Sequence, residues 1–345
     1  MERDPNKNIG IQINRGLRTA WIVCIGLIAL LCAFSVSIIY GSTNITLNTL
    51  WEAIFRFDPD VTQHQIIREI RFPRALIAAV VGAFLAISGA IMQALTRNPL
   101  AEPSLLGVSQ GAAFAMVLFL TLIPGVSSTG TILVSMLGAG LSVLLVFSLS
   151  SIARGGGNPA KLSLAGVAVG MFLSSLTSVF SIHFNVAKQL SFWYAGSLAA
   201  SDWQGVKMLG LAGLAGIVMV IILARPLTLL GLGTDVTKGL GINVRAVNIL
   251  GVIAVLVLTG SSVAVSGTVA FVGLVVPHIS AMLVGSDYRL SLPVSAVFGS
   301  LLLVLGDIGS RMINPPYETP IGVVTAAIGV PFFLYLVRSG RRRFQ

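Results

Sequence analysis

Four arginines, Arg68, Arg71, Arg74 and Arg311, offer the clearest chemistry in the sequence. The first three stand together in Arg68-Glu69-Ile70-Arg71-Phe72-Pro73-Arg74, directly ahead of a long uncharged stretch, and Arg311 follows another. A guanidinium is a planar fork of N–H donors that matches a carboxylate, so such a group makes a basic docking surface for an acidic partner. Long cationic side chains beside apolar segments also snorkel toward lipid headgroups. Both readings stand on these residues alone.

Catalytic groupings are missing by comparison. His64, His183 and His278 are far apart, and no HExxH or Ser/His/Asp arrangement surrounds them. Gly231-Leu232-Gly233 follows no strand pattern and lacks both a third glycine and a Gly-Lys-Ser/Thr ending. Gly155-Gly156-Gly157 fails the same test, so neither reads as a nucleotide site. Cys24 and Cys32 lie in the first apolar run without a metal-ligand pattern, as two free thiols packed in a helix. The expectation is no catalytic residue, no metal site and no resident cofactor.

What must position these residues is a chain built for lipid. Charged side chains make up 10% of the 345 residues, against about 25% in a soluble domain. Hydrophobic residues reach 55% and the mean hydropathy is +0.93, which implies an integral membrane protein. The net charge of +10 sits in short clusters between apolar runs rather than on one wetted face, so no nucleic-acid partner is expected. The first apolar run is too long for a cleavable signal peptide and has no small-residue cleavage site.

Uncharged stretches run over 19–51, 75–96, 103–153, 162–187, 208–224, 246–286, 290–306 and 319–337. A spanning helix takes about 20 apolar residues. The third stretch holds two, with a turn at Ile123-Pro124-Gly125, and the sixth holds two, with a break near Ser261–Gly267. The count is ten spans with both termini on one side. With the termini in the cytoplasm, fifteen Lys and Arg residues fall inside and seven outside, as the positive-inside rule requires. The whole chain, 1–345, reads as one membrane domain, with a cytoplasmic segment at 1–17 and a cytoplasmic loop at 225–245.

Small residues such as Gly82, Ser88, Gly89, Gly138, Gly140, Gly166 and Gly170 suit close helix packing in lipid. Arg74-Ala75 precedes Ser88-Gly89 by the same interval as Arg245-Ala246 precedes Thr259-Gly260, an echo expected of an inverted repeat. Residues 46–57 place Leu47, Leu50, Trp51, Ile54 and Phe55 on one apolar stripe, predicting a short helix along the outer interface. In Arg97-Asn98-Pro99-Leu100-Ala101-Glu102-Pro103 two prolines four apart exclude a continuous helix. The loop 225–245 is amphipathic and glycine-punctuated, predicting two short helices outside the membrane. Span interiors carry essentially no ionisable residue, with Asp307 at a span end, so the energy for transport is expected from another subunit.

In order and spacing, these motifs resemble the permease subunits of binding-protein-dependent ABC importers for iron–siderophores, haem and vitamin B12, the type II importers. The resemblance runs from about residue 18 to 340. It rests on Ile70 to Arg74; Ser88-Gly89 with Gln93; Asn98, Pro99, Glu102, Pro103 and Gly107; Trp193 with Gly196-Ser197; Gly267 to Leu274; Pro277-His278; Asp287-Tyr288-Arg289; Asp307; and Glu318 to Gly322.

The resemblance implies ten helices with cytoplasmic termini in the bacterial cytoplasmic (inner) membrane, and a second permease copy or paralogue. It implies ABC ATPase subunits that hold the ATP and Mg, and a substrate-binding lipoprotein or periplasmic protein outside. Arg71, Arg74 and Arg311 match the positions that face acidic residues of that binding protein. Leu230, Gly231, Thr234, Asp235, Lys238, Gly239, Leu240 and Gly241 match the coupling helices that sit on the ATPase, although Thr234 to Gly239 is richer in Thr and Gly than the usual run. The segment up to Trp193 matches the lining of the path near its gate. The expected cargo is a ferric siderophore, with vitamin B12 or haem as alternatives. The rival from another class is a self-sufficient secondary transporter.

Overall fold

The computed structural model describes residues 5–41, 45–123, 127–152, 159–315 and 317–341. The expected turn at Pro124-Gly125 and the glycines 155–157 lie outside these residues. Among the described residues every regular element is helical. In chain order these are α1 (Pro5–Ile39), α2 (Leu47–Phe55), α3 (Thr62–Gln65), a π-helical turn (Ile66–Arg71), α4 (Phe72–Thr96), a 3₁₀ turn (Pro103–Leu106), α5 (Val108–Leu122), α6 (Ser128–Ile152) and α7 (Pro159–His183). They continue as α8 (Ala187–Ala195), α9 (Trp203–Leu230), α10 (Thr234–Gly239), α11 (Val244–Ser266), α12 (Val272–Val284), α13 (Tyr288–Met312) and α14 (Ile321–Arg341).

Seven of these helical runs are long and apolar enough to cross a membrane, and α5, α12 and α14 supply three shorter apolar ones. Among the described residues, these seven runs and three shorter helices lie in the places the charge gaps marked. The short three share a cause. Each is preceded by a break in the α-helical backbone, at 97–107 (which holds the 3₁₀ turn), at 267–271 and, among the described residues, at 313–315 and 317–320. Irregular backbone in a membrane protein persists where protein groups satisfy its donors and acceptors, and all three connectors are tied in that way below.

The centre of the molecule is α4, which packs against α13, α11, α12 and α9. Its crossing with α13 depends on Gly82 and Gly299, where a Cβ on either would overlap the other's backbone carbonyl. Without a hydrophobic drive between helices in lipid, this closeness is what gives the pair its packing energy. Ser300 Oγ adds a hydrogen bond to the Ala79 carbonyl at 2.7 Å. Outer faces of α6, α7 and α9 carry exposed Leu137, Leu141, Leu164, Leu211 and Leu214, which suits contact with acyl chains. Cys24 and Cys32 are free thiols on the exposed side of α1 rather than packed within it.

Two local expectations change. In α2, Leu50 and Ala53 are buried on the protein while Leu47, Trp51, Ile54 and Phe55 point outward. The helix therefore has two apolar faces, one for the chain and one free. The loop expected from residue 225 begins later, because α9 continues through Arg225-Pro226 to Leu230. Leu223, Leu227 and Leu230 bury one continuous face, and that packing holds the last turns helical despite the proline. Only α10 remains as a separate short helix in that loop.

Candidate functional site

At the outer end, four elements meet: the C-terminus of α1, the π-helical turn, the start of α4 and the end of α13. The last carbonyls of α1 lack helical partners, and arginines supply the donors. Arg71 Nη1 donates to the carbonyls of Ile38 and Ile39 at 2.6 and 2.7 Å. Arg311 Nη1 donates to Ser37 O at 3.0 Å and Tyr40 O at 2.8 Å, while its Nη2 donates to Ser37 Oγ at 2.8 Å. Two cations thus cap the negative end of one helix dipole. The π-helical turn, with its wider backbone spacing, ends on Arg71.

Arg74 faces the other way. Its Nε and Nη2 donate to Asp307 Oδ1 at 2.9 and 2.8 Å, and its Nη1 donates to Glu318 Oε1 at 2.7 Å. Asp307 Oδ2 meets Arg311 Nη2 at 2.9 Å. Asp307 is fully buried, Arg74 nearly so, and the Glu318 side chain is 40% exposed. Burying a carboxylate is tolerable here because each of its oxygens faces a guanidinium. Three arginines against two carboxylates leave a surplus positive charge around an outward cavity of about 360 Å³, lined also by Tyr40, Ile70 and Met312. Arg71, Arg74 and Arg311 are thus brought together as expected, but as the paired wall of a cavity rather than as extended exposed side chains. Arg68, in contrast, is exposed and lies over the Phe57 ring at 4.5 Å.

The ends of α8 and α11 and the start of α14 meet at a junction with the irregular backbone that adjoins them. Gly196 and Gly267 both have positive φ, 72° and 68°. A Cβ on Gly267 would overlap the Trp193 carbonyl, and one on Gly322 would overlap the Ala195 carbonyl. The joined segments exchange hydrogen bonds: Ser197 N to Ser266 O at 3.0 Å, Thr268 N to Trp193 O at 3.2 Å and Ile321 N to Gly196 O at 3.0 Å. Thr268 Oγ1 donates to the Tyr194 carbonyl. A second cavity of about 320 Å³ opens beside this junction, lined by Tyr194, Thr268, Ala270 and Gly322.

The connector from Arg97 to Gly107 docks on the same broken region. Asn98 Oδ1 accepts from Leu100 N at 3.0 Å, Pro103 opens the 3₁₀ turn after Pro99 has barred a helix, and Gly107 has φ 71° before α5. Glu102 Oε1 accepts from Phe271 N at 3.0 Å, capping α12. Burial pushes the Glu102 carboxyl above the ordinary carboxylate range, partly offset by that hydrogen bond. Pro277 lies within α12, and the neighbouring His278 ring sits edge-on to Phe332 at 6.1 Å, in a packing role.

At the inner end, α10 is held by Thr237, whose Oγ1 donates to Leu229 O at 2.8 Å and Gly233 O at 2.7 Å. Leu230 is packed inside, so it seats the loop rather than presenting it. Gly231, Asp235, Lys238, Gly239, Leu240 and Gly241 are exposed, and Thr234 is half-buried. Leu232, Val236 and Leu240, 64%, 51% and 59% exposed, form an apolar patch beyond the membrane end. Leu232 and Val236 had drawn no functional expectation, although their spacing of four with Leu240 carries the signal. Thr228 ties this end to α13, donating to Asp287 Oδ1 at 3.2 Å and accepting from Tyr288 N at 3.0 Å.

An all-helical permease with an outer charged cavity, a central backbone junction and an inner apolar loop is the class that fold and site define. Residues 27–339 match the FecCD transport family, and the chain belongs to it. The iron(3+)-hydroxamate import system permease protein FhuB of Bacillus subtilis (strain 168) is 50% identical over 325 residues, covering 94% of this chain and 84% of that protein. The iron-uptake system permease protein FeuB of the same organism is 44% identical, covering 90% and 93%. A solved inward-facing structure of a metal-chelate type ABC transporter superposes with a TM-score of 0.81 at 30% identity, covering 93% of this chain and 99% of that one.

Proposed function

We propose that this multi-pass membrane protein is the permease subunit of an ATP-driven, binding-protein-dependent importer that carries a ferric siderophore across the bacterial cytoplasmic membrane. The observation that carries the cargo is the 50% identity, over almost the whole chain, to a permease of an iron(3+)-hydroxamate import system. The outer cavity receives acidic residues of a substrate-binding protein, because its surplus charge is positive and its arginines are already held in place. The apolar patch at Leu232, Val236 and Leu240 seats on an ATPase subunit, which holds the ATP and Mg. A second permease, identical or paralogous, completes the path.

The geometry supports a mechanism of alternating access. Closure of the ATPases presses on α10, and Thr237 passes that load to the end of α9. The Thr228 bonds to Asp287 and Tyr288 carry it to α13, whose far end holds Asp307 and Arg311 in the outer cluster. Tilting of α9 and α13 against α4 then opens the path on one side at a time. The central junction, made of hydrogen-bonded irregular backbone, is the part best able to change shape without unwinding a helix.

The test is uptake in cells lacking this chain and in cells with it restored. Labelled iron is supplied on hydroxamate and catecholate siderophores, with labelled haem and cobalamin in parallel. Loss of one iron–siderophore signal, restored by the chain and abolished by an ATPase mutation, is the expected result. Uptake that persists without an ATPase contradicts the reading and favours a self-sufficient transporter.

A further inference from the structure

Glu318 occupies the place an incoming carboxylate needs. Its Oε1 lies 2.7 Å from Arg74 Nη1, on the wall of the outer cavity. Nε and Nη2 of Arg74 both donate to the fully buried Asp307, which cannot leave. Glu318 differs in being 40% exposed, so its carboxylate can turn into water at small desolvation cost. A partner carboxylate entering the cavity therefore meets one exchangeable ligand on Arg74 and one fixed ligand.

The chain from Glu318 leads directly to the central junction. Thr319 N donates to Ser310 O at 3.0 Å and Ile321 N donates to Gly196 O at 3.0 Å. Gly322 then lies against the carbonyls of Ala195 and Thr268. Only Thr319 and Pro320 separate Glu318 from Ile321, whose N–H is bonded into the junction.

We infer that Glu318 is a positioning residue that senses docking: an acidic partner displaces it from Arg74, and the released 318–322 strap loosens the junction of Gly196, Thr268 and Gly322. This rests on the docking role proposed for the outer cavity. It adds that the cavity carries its own internal competitor, which weakens docking and converts it into a signal. Glu318 touches no cargo and acts through Arg74 and the strap.

The experiment uses the full chain in right-side-out proteoliposomes of zwitterionic lipid, so that an impermeant peptide meets the outer face alone. Wild type, Glu318→Gln and Glu318→Asp are compared by hydrogen exchange and by binding of fluorescent deca-glutamate. Without peptide, Glu318→Gln should speed exchange roughly tenfold at 319–323 and at 193–198, the loss of one charge-assisted hydrogen bond. It should also bind deca-glutamate roughly tenfold more tightly than wild type, since the competitor is gone. Glu318→Asp keeps the charge and should resemble wild type in both.

Faster exchange confined to 316–319, unchanged peptide affinity in Glu318→Gln, or a Glu318→Asp variant that behaves like Glu318→Gln would each overturn the inference. Deca-lysine serves as the sign control. If wild type binds it as tightly as deca-glutamate, the docking role of the cavity falls, and the exchange data still report on the strap.

Discussion

The two ends of this permease are prepared for contact in opposite ways. The outer end concentrates charge, yet its charges are largely paired within the chain: Asp307 lies between Arg74 and Arg311, and Arg71 and Arg311 cap α1. The inner end holds its loop through the uncharged hydroxyls of Thr228 and Thr237 and leaves Leu232, Val236 and Leu240 exposed. Charges held in place meet a partner of opposite charge at little reorganisation cost. An exposed apolar patch favours a lasting contact, which suits a subunit that stays and transmits force. The cavity outside and the patch inside therefore differ in the chemistry they present, paired charge against exposed apolar side chains.

Removing the buried carboxylate should have the largest effect. Asp307→Asn leaves Arg74 and Arg311 facing each other around a neutral amide and should destabilise the fold by about 3 kcal/mol or more. Thermal unfolding of the purified chain in detergent measures this. An unchanged midpoint would mean the outer charges are screened by water and not held by one another.

Next comes the central junction. Gly267→Ala places a Cβ against the Trp193 carbonyl at a φ of 68°, with an expected cost of about 1–3 kcal/mol. Transport should fall further than stability, because the same backbone must move. Equal losses in unfolding midpoint and siderophore uptake would assign the junction a packing role only.

A smaller effect is expected at the inner loop. Thr237→Val keeps the shape of a fully buried side chain but removes its bonds to Leu229 O and Gly233 O. The loss should be about 1 kcal/mol, read as faster hydrogen exchange in α10 with α9 unaffected above Leu223. Exchange spreading up α9 would show that the loop and the helix form one unit.

Much of this was legible in the residues. Scarce charge outlines ten crossings, and Pro99 with Pro103 places the break between α4 and α5 without any coordinates. Arg71, Arg74 and Arg311 stand out with Arg68 beside long uncharged stretches, and the family resemblance singles out these three. What remained hidden depends on contacts distant in sequence. Nothing local says that Asp307 and Glu318 meet Arg74, more than 230 residues away, or that Ile38 and Tyr40 offer their carbonyls to arginines. The extension of α9 through Pro226 is a tertiary effect, since Leu223, Leu227 and Leu230 outweigh the proline. Leu232 and Val236 were missed for the opposite reason, as their spacing is visible but exposure of apolar residues is expected only once a partner is considered.

The contrast between the ends is tested most directly by Leu232→Asp, Val236→Asp and Leu240→Asp combined in one chain. All three side chains are exposed, so stability should change by no more than about 0.5 kcal/mol for each. The measurement is co-purification of the ATPase subunit with the triple variant, alongside deca-glutamate binding at the outer face. The account predicts that the ATPase is lost while outer binding and the unfolding midpoint stay at wild-type values. An ATPase that remains bound to the triple variant would contradict it and move the force-bearing contact away from α10.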